Sequence, residues 1–300
     1  MANPIIEDIK LKVRSGNPVT RLIIINVLVF LTISTFRILL FVFGGTAESV
    51  VNSFVNTISF PLSIQGLIYQ PWSLLTYMFT HIDVMHLFWN MVTLFWFGQI
   101  LISYTSSKKI IPLYILGGIA GGLFTMVCFL IIPSFHAYIG APLIGASAGV
   151  TAIIIASATL VPNYQMNLMF IGPVKLIYVA LFVLFVDILS VTSYANVGGN
   201  LAHIGGAIMG YVFIVRYKKG NDWSLWINCF FDFISALFSK MFKSKMKVAY
   251  RRTVSDEEYN YNKNVEQAQI DAILDKISKS GYESLTKAEK EMLFKISKKK

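Results

Sequence analysis

The sequence predicts an all-α polytopic membrane protein whose core is a bundle of six transmembrane helices. Of its 300 residues, 55% are hydrophobic and 14% are charged, and the mean hydropathy is +0.61. A soluble domain of this size would be far more polar. Lysine and arginine are absent from residues 38–107, 110–174 and 176–215. The net charge of +10 therefore lies mostly near the two ends of the chain.

Six apolar runs are candidate spans, because a helix needs about 20 apolar residues to cross the hydrocarbon core of a bilayer. The later runs are short, as helices enclosed by their neighbours can be. We take the first run as a retained span, since no small-residue cleavage site of a signal peptide follows it. The six runs are residues 22–43, 84–104, 110–132, 143–161, 174–191 and 201–215.

The positions of lysine and arginine predict the orientation of these spans. Basic residues lie in the N-terminal segment, in the second-to-third and fourth-to-fifth connections, and after the sixth span. The other three connections contain none, and the long first one, residues 44–83, is apolar enough to dip into the membrane interface. We therefore expect both termini in the cytoplasm and the second, fourth and sixth helices to start at the outer face. This pattern and the lack of a transit-like leader favour a bacterial plasma (inner) membrane.

Residues 223–242, after the sixth span, have apolar side chains at helical spacing. We interpret them as an amphipathic helix lying in the membrane plane, because a seventh span would place the lysine-rich tail outside. A basic segment follows and is expected to contact anionic lipid. Its basic residues are Lys243, Lys245, Lys247, Arg251 and Arg252.

The chain thus divides into four predicted parts, of which the last has a soluble composition. In that last part, capping-box spacing predicts two short helices separated at Gly281. The parts are a cytosolic N-terminal segment (1–20), the six-span core (21–217), the amphipathic helix with its basic segment (218–252) and a small helical cytosolic tail (253–300). The tail helices are residues 270–277 and 288–296, and the capping pairs are Ser255 with Glu258 and Thr286 with Glu289.

Composition also limits the partners. Because the basic residues lie at span ends and in the tail, they fit membrane orientation and anionic lipid better than nucleic acid. Cys128 and Cys229 cannot build a disulfide framework or a metal ribbon. No cofactor is expected.

Polar side chains at the outer ends of three predicted helices are candidates for function, since polar groups inside a membrane are unfavourable unless they serve one. The second helix carries His86 and Asn90, the fourth carries Ser147 and the sixth carries His203. Ser147 is expected about four residues into its helix and His203 about two to three, both roughly 3–6 Å below the helix start. The predicted topology therefore places all four residues in one layer.

Ser147 lies in a G-x-S-x-G string, between Gly145 and Gly149. In an α/β-hydrolase this string falls on a strand-turn-helix, whereas here it opens a membrane helix. A small-residue helix-packing motif is the alternative interpretation. His203 precedes Gly206 and Gly210, a G-x-x-x-G that is expected to pack on the small-residue face of the fourth helix. His203 could then accept the Ser147 proton, and a buried histidine bonded to a carbonyl is the alternative.

His86 and Asn90 share one helix face and could donate hydrogen bonds to a developing oxyanion, with the Ser147 N–H as a third donor. His81 and Asp83 precede them, so a metal site is the rival interpretation. There is no H-E-x-x-H string and no convincing third ligand. Asp187, inside the fifth span, is expected to face the bundle and bond a neighbour.

Taken together, the motifs of three helices resemble those of the rhomboid family of intramembrane serine proteases. The similarity covers about residues 20–217 and implies a six-helix rhomboid-like bundle. It implies a Ser–His dyad without a carboxylate, with Ser147 as nucleophile and His203 as general base. It also implies an oxyanion hole formed by His86, Asn90 and the Ser147 N–H. The matching pieces are His81, His86 and Asn90, then Gly145 to Ser147, then Ala202 to Gly206 with Gly210, and Asn200 is similar to a position near the family's active site.

Three positions depart from the family's pattern. Ser73 follows Trp72 where the family often has arginine, and Ala148 follows the serine where glycine is common. Thr151 stands where many members carry an aromatic residue that stacks on the histidine. Thr151 therefore removes a group that would orient His203, but no group that reacts.

We expect an active serine endopeptidase that cleaves transmembrane segments of single-span or multi-span proteins near the outer face. Phe182 and Phe185 of the fifth helix, with the first connection, are candidate gates. A catalytically silent rhomboid-like protein that binds membrane clients is the alternative. An aspartyl intramembrane protease would need two membrane aspartates, and only Asp187 lies well inside a span. A transporter would show an internal repeat and broken helices, and neither is evident.

Overall fold

Each of the six predicted spans contains a helix in the computed structural model, which describes residues 16–44, 47–138, 143–168, 171–191, 196–241 and 256–297. Four of these helices are long and apolar enough to cross a membrane, and two shorter ones are also apolar. The prediction of an all-α multi-pass bundle is therefore confirmed. In chain order the helices are α1 (Pro18–Gly44), α2 (Ala47–Ile58), α3 (Ile64–Tyr69), α4 (Ser73–Thr76), α5 (Val84–Tyr104), α6 (Ile110–Ile131), α7 (Ser147–Leu160), α8 (Leu176–Ser190), α9 (Val197–Lys218), α10 (Ser224–Met241), α11 (Asp256–Ser280) and α12 (Lys287–Ser297).

The centre of the bundle is formed by α6, α7 and α9, which pack through small residues. A Cβ atom built on Gly121 of α6 would lie 2.6 Å from the Ala148 Cβ in α7 and 2.6 Å from the Ala202 carbonyl oxygen in α9. Such close approach between membrane helices is possible only where side chains are small. The three backbones therefore meet at the level of Ser147.

Hydrogen bonds attach the long connection between α1 and α5 to this centre. Phe60 pairs with Leu143 in an antiparallel bridge, with Phe60 N–H donating to the Leu143 carbonyl at 3.0 Å. The Tyr77 hydroxyl donates to the Gly118 carbonyl of α6 at 2.5 Å. The connection thus contacts both α6 and the segment that leads into α7.

The first residues of α7 and α9 differ from the prediction. The fourth span was predicted to begin at residue 143, but Leu143 is bonded to Phe60 and Gly145 has φ +116°, so α7 begins at Ser147. The sixth was predicted to begin at residue 201. The structure starts α9 four residues earlier because the Asn196 side chain accepts the N–H of Gly199 at 3.2 Å and caps it.

These differences change the predicted depths. Ser147 is the first residue of α7 rather than the fourth or fifth. His203 lies six residues after the start of α9, about 9 Å along that helix. Ala148 is level with Gly206, so α9 extends beyond the start of α7 by about two turns. Ser147 and His203 lie in the same layer because α7 and α9 begin at different heights.

A short β-hairpin joins α7 to α8. This hairpin was not predicted from the sequence. Strand β1 (Gln165–Leu168) pairs antiparallel with β2 (Gly172–Lys175), and Gly172, the first residue of β2, has φ +89°. The fifth span was expected from residue 174, but α8 begins at Leu176 because residues 174 and 175 belong to β2. The hairpin is too short to change the fold class.

The chain divides into two compact units, Met1–Phe238 and Ser239–Lys300. The predicted amphipathic helix is α10, and its orientation in the membrane plane stays a prediction. Lys109 Nζ lies 2.6 Å from Asp222 Oδ2 and fixes the start of α10 to the start of α6. Residue 242 and the basic residues from Lys243 to Arg252 lie outside the described residues.

The two predicted tail helices are present as α11 and α12, and Gly281, at φ +75°, separates them. The first is much longer than predicted, because α11 begins at Asp256 rather than at residue 270. The capping box is confirmed at α12, where Thr286 N–H donates to Glu289 Oε2 at 2.7 Å and Glu289 N–H donates to Thr286 Oγ1 at 3.4 Å. The Thr286 N–H, Lys276 and the Thr286 hydroxyl all donate to the Glu289 carboxylate and lower its pKa to about 2. Ser255, of the other predicted box, lies outside the described residues.

Candidate active site

Ser147 is half-buried at the N-terminus of α7, and two hydrogen bonds fix the residues before it. The Gly145 N–H donates to the Tyr77 carbonyl at 2.9 Å, and the Ala146 N–H donates to His81 Nε2 at 3.3 Å. Both acceptors lie in the segment before α5. The position of the Ser147 turn therefore depends on that segment as well as on α7.

His86 lies beside this turn, although it comes from α5. A Cβ atom built on Gly145 would lie 2.7 Å from His86 Cε1 and 3.0 Å from His86 Nε2, so the imidazole contacts the Gly145 backbone. With φ +116°, Gly145 also has a conformation that side chains rarely adopt. Glycine is required here for both reasons. Because Gly145 has no side chain, His86 can contact its backbone, two residues before Ser147 in the chain.

His81 is fully buried and supports the same turn. Its ring centroid lies 5.1 Å from that of His86, at an interplanar angle of 64°. Burial, together with the nearby charge of His86, lowers the pKa of His81 to about 4. His81 is therefore neutral at physiological pH, and this leaves its Nε2 free to accept the Ala146 N–H.

Asn90 lies one turn after His86 and is buried. Its Nδ2 donates to the His86 carbonyl at 2.9 Å, within its own helix. A side-chain amide has a second N–H, so this bond does not use up its donor capacity. The predicted role of His86 and Asn90 in an oxyanion hole stays a prediction.

His203 is brought to the Ser147 turn by the packing of α9 on α7. A Cβ atom on Gly206 would overlap the Ala148 carbonyl oxygen, and one on Gly210 would overlap that of Ala152. The predicted packing of Gly206 and Gly210 on the fourth span, which is α7, is therefore confirmed.

Among the described residues, the Ser147 hydroxyl and the His203 ring are not hydrogen-bonded to each other. Catalytic hydrogen bonds are often long in unliganded enzymes and tighten when substrate is bound. Asn200, one turn before His203, is buried on the same helix. Over the described ranges, no group of three histidine, cysteine or acidic side chains could hold a metal ion.

Asp187 is a neighbour of His203 that the site prediction did not include. Its Oδ1 lies 2.7 Å from His203 Nδ1. The expectation that Asp187 faces the bundle and bonds a neighbour is confirmed, but the resemblance implied a histidine without a carboxylate. The partner was predictable in part, since Asp187 lies near the end of α8 and the connection from there to α9 is short.

Two protein-family models match separate parts of the chain. Residues 69–219 match the model of the Rhomboid domain, which is just over half of the chain. Residues 253–299 match a family of unknown function, DUF6576.

One curated relative is the mitochondrial RHOMBOID-like protein 12 of Arabidopsis thaliana. It is 30% identical over 166 residues, which cover 50% of this chain and 47% of the relative. The chain thus spans about half the length of that relative. Given the multi-pass helical bundle and the Rhomboid domain match over half of its length, the chain belongs to the rhomboid family, a family of the intramembrane-protease type.

Proposed function

We propose that this protein is an intramembrane serine endopeptidase in which Ser147 is the nucleophile and His203 the general base. The contact of Ala148 with Gly206 carries the proposal, because it brings the serine turn against the helix that bears the histidine. Neither residue alone would support it. A serine in a small-residue string and a histidine near glycines are both common in helix packing.

The first half of the reaction forms an acyl-enzyme. Ser147 Oγ bonds to the carbonyl carbon of the substrate while its proton passes to His203 Nε2. The carbonyl oxygen becomes an oxyanion. As this intermediate collapses, the C–N bond breaks, and the leaving amine takes the proton from His203. The N-terminal part of the substrate remains attached to Ser147 as an ester.

Water completes the reaction by the same route. Its oxygen attacks the ester carbon while His203 Nε2 accepts its proton, and the proton then returns to Ser147 Oγ as the ester bond breaks. The net result is hydrolysis of one peptide bond, and the enzyme is restored without a cofactor.

The start of α7 suits the stabilisation of the oxyanion. The first N–H groups of a helix have no partner within it, and they lie at the positive end of the helix dipole. Ser147 is the first residue of α7, so its N–H belongs to this group. His86, against Gly145, and Asn90 are the proposed side-chain donors, and each such donor contributes roughly 10²–10³ to the rate in serine proteases.

The proposed substrates are transmembrane segments of single-span or multi-span membrane proteins, cleaved near the outer face. A helical segment has its carbonyls engaged in hydrogen bonds, so it must unwind locally before attack. Phe182 and Phe185, on the outward side of α8, are 67% and 58% exposed. They are the proposed residues past which a substrate segment enters from the membrane.

The orientation is a further part of the proposal. Lysine and arginine lie in alternate connections, which supports a plasma (inner) membrane of bacterial type with both termini in the cytoplasm. The basic segment from Lys243 to Arg252 is the proposed contact with anionic lipid. Reporter fusions at residues 107 and 220 should report the cytoplasmic side, and a fusion at residue 50 the opposite side.

The decisive experiment is cleavage of a model single-span substrate by the purified full-length protein in detergent and in liposomes. Ser147→Ala and His203→Ala should each lower kcat by at least about 10³-fold. Ser103→Ala is the matched control, because Ser103 is an exposed serine whose hydroxyl donates to the Gln99 carbonyl within α5. Full activity in both site variants would rule out the mechanism.

The same assay separates the enzyme from a catalytically silent client-binding protein. The silent protein would bind the substrate segment without cleaving it, and Ser147→Ala would leave binding unchanged. Ser147 and His203 are both present and lie on helices in contact, which favours the enzyme.

A further inference from the structure

We propose that Asp187 is a positioning residue that holds the His203 ring in the tautomer and orientation needed to accept the Ser147 proton. This inference rests on the proposed function. It adds a third member, a carboxylate from α8, to the two groups that act on the substrate.

The geometry is that of a carboxylate paired with one histidine. Asp187 Oδ1 lies 2.7 Å from His203 Nδ1, and the two side chains are 10% and 21% exposed. Asp187 Oδ2 is buried and has no hydrogen-bond partner among the described residues. The hydrogen bond that the structure assigns to this carboxylate is therefore directed at His203.

A purely structural carboxylate in a membrane helix would be surrounded differently. Buried polar groups are normally saturated with hydrogen bonds, because an unpaired one is unfavourable. In the described part of the chain, Asp187 forms its ion pair with His203 and with no lysine or arginine. Among the described residues, the Asp187 side chain has one partner, His203, and one unpaired oxygen. An effect on His203 therefore explains this aspartate better than a purely structural role.

This contact determines which ring nitrogen acts as the base. A carboxylate can only accept, so Nδ1 carries the proton and donates it to Oδ1. The neutral ring then has its lone pair on Nε2, the atom that must take the Ser147 proton. Without a partner at Nδ1, both tautomers would be populated and one of them could not act as base.

The carboxylate also matters once the proton has moved. Transfer from Ser147 leaves His203 as an imidazolium, and a positive charge in a water-poor layer needs a counter-charge. Asp187 supplies a fixed counter-charge at hydrogen-bond distance. Thr151, one turn after Ser147 and buried, has no ring that could hold the imidazole by stacking.

The kinetic test compares Asp187→Asn, Asp187→Glu and Asp232→Asn in the full-length protein. Asparagine can donate to Nδ1 and favours the wrong tautomer, so kcat should fall on the order of 10²-fold or more while KM changes by less than about twofold. Glutamate restores the carboxylate and should recover part of kcat. Asp232, exposed on α10, is the control and should change neither constant.

A structural link between α8 and α9 would give another result. In that case Asp187→Asn would lower the melting temperature and raise KM, and glutamate, which is longer, would not recover kcat. Either that pattern or full kcat in Asp187→Asn would overturn the proposal. If Ser147→Ala and His203→Ala abolish cleavage in the same assay, the proposed function holds whatever the result for Asp187→Asn.

A second measurement needs no Asp187 variant and so does not depend on its folding. Nitrogen NMR of histidine-labelled wild-type protein, with the His203→Ala spectrum subtracted, reports the tautomer of His203. The Nδ1–H form is expected at neutral pH. Observation of the Nε2–H form would overturn the proposal even if the protein cleaves its substrate.

Discussion

Gly206 of α9 lies directly against the backbone of Ala148 in α7. A Cβ atom on Gly206 would overlap the Ala148 carbonyl oxygen and lie 2.9 Å from the carbonyl carbon. Because Ala148 follows Ser147, the height and separation of the two helices at this contact set the position of Ser147 relative to His203. The contact that stabilises the bundle is thus also the contact that builds the proposed site.

Substitution of Gly206 should therefore affect both stability and activity. Gly206→Ala must push α9 away from α7, which should cost about 1–3 kcal/mol of unfolding free energy. A displacement of about 1 Å at the site can lower the rate about 10²-fold. Melting temperature and substrate cleavage measure the two effects. Gly198→Ala is the control, since the nearest atom that its Cβ would meet in the described part of the chain is 3.8 Å away, and equal activity in both variants would contradict the prediction.

Gly145→Ala should separate backbone strain from the contact with His86. The alanine must adopt φ +116° and its Cβ would lie 2.7 Å from His86 Cε1. Gly220→Ala shares a positive φ of +86°, but its Cβ would have no atom of the described residues within 4 Å. Both variants should lose about 1–2 kcal/mol from strain, and only Gly145→Ala should lose peptidase activity, since it displaces His86. Comparable activity in the two variants would argue against a role for the His86 position.

His81 should make the protein less stable in mild acid. Its pKa is lowered to about 4 in the fold from 6.5, mainly by burial. Between these values the unfolded chain binds the extra proton, so stability falls as pH falls from 6.5 towards 4, by about 2 kcal/mol at pH 5.

His81→Gln tests this, because its side-chain oxygen can still accept the Ala146 N–H and does not titrate. The measurement is the melting temperature of both proteins from pH 7.5 to pH 5. The wild type should lose more than the variant over this range. Parallel curves would show that another group is responsible.

The Lys109–Asp222 pair should anchor α10. Lys109 Nζ lies 2.6 Å from Asp222 Oδ2 and 4.3 Å from the centroid of the Tyr217 ring. Burial by itself raises the pKa of Asp222, but hydrogen bonds from Lys109 and Ser224 reverse this and hold it below its ordinary value.

Lys109→Met removes the Lys109 bond to Asp222 and should cost about 1.5–3 kcal/mol, with increased proteolysis near the start of α10. Lys108→Met, an exposed neighbour with the same charge, is the control and should have little effect on either. Equal melting temperatures for the two variants would contradict an anchoring role.

Much of the bundle was predictable because each span has its own local cause. An apolar run of sufficient length must form a helix in a membrane, since every backbone polar group has to be satisfied within the segment. The G-x-x-x-G of α9 predicted close packing because the spacing of small residues is also a local feature, contained within one helix. The capping box at Thr286 and Glu289 was predictable because its bonds span only three residues.

The start of α7 differs from the prediction because it depends on a contact distant in the chain, whereas the start of α9 differs because of a cap between Asn196 and Gly199, three residues apart. Leu143 is apolar and would extend the fourth span, but its bond to Phe60 holds it outside α7. The hairpin before α8 requires pairing between strands, and neither strand has a distinctive pattern. The roles of Ser147, His203, His86 and Asn90 stay predictions that activity must test.

The sequence by itself determined the membrane class, the six helices and the residues capable of chemistry, because hydropathy and residue type are local properties. Tertiary structure decided where Ser147 begins its helix and which group bonds His203. Asp187 and His203 are 16 residues apart on different helices, and their 2.7 Å contact follows from how α8 and α9 pack. A hydrogen bond depends on tenths of an ångström, and only the packed bundle fixes a distance that small.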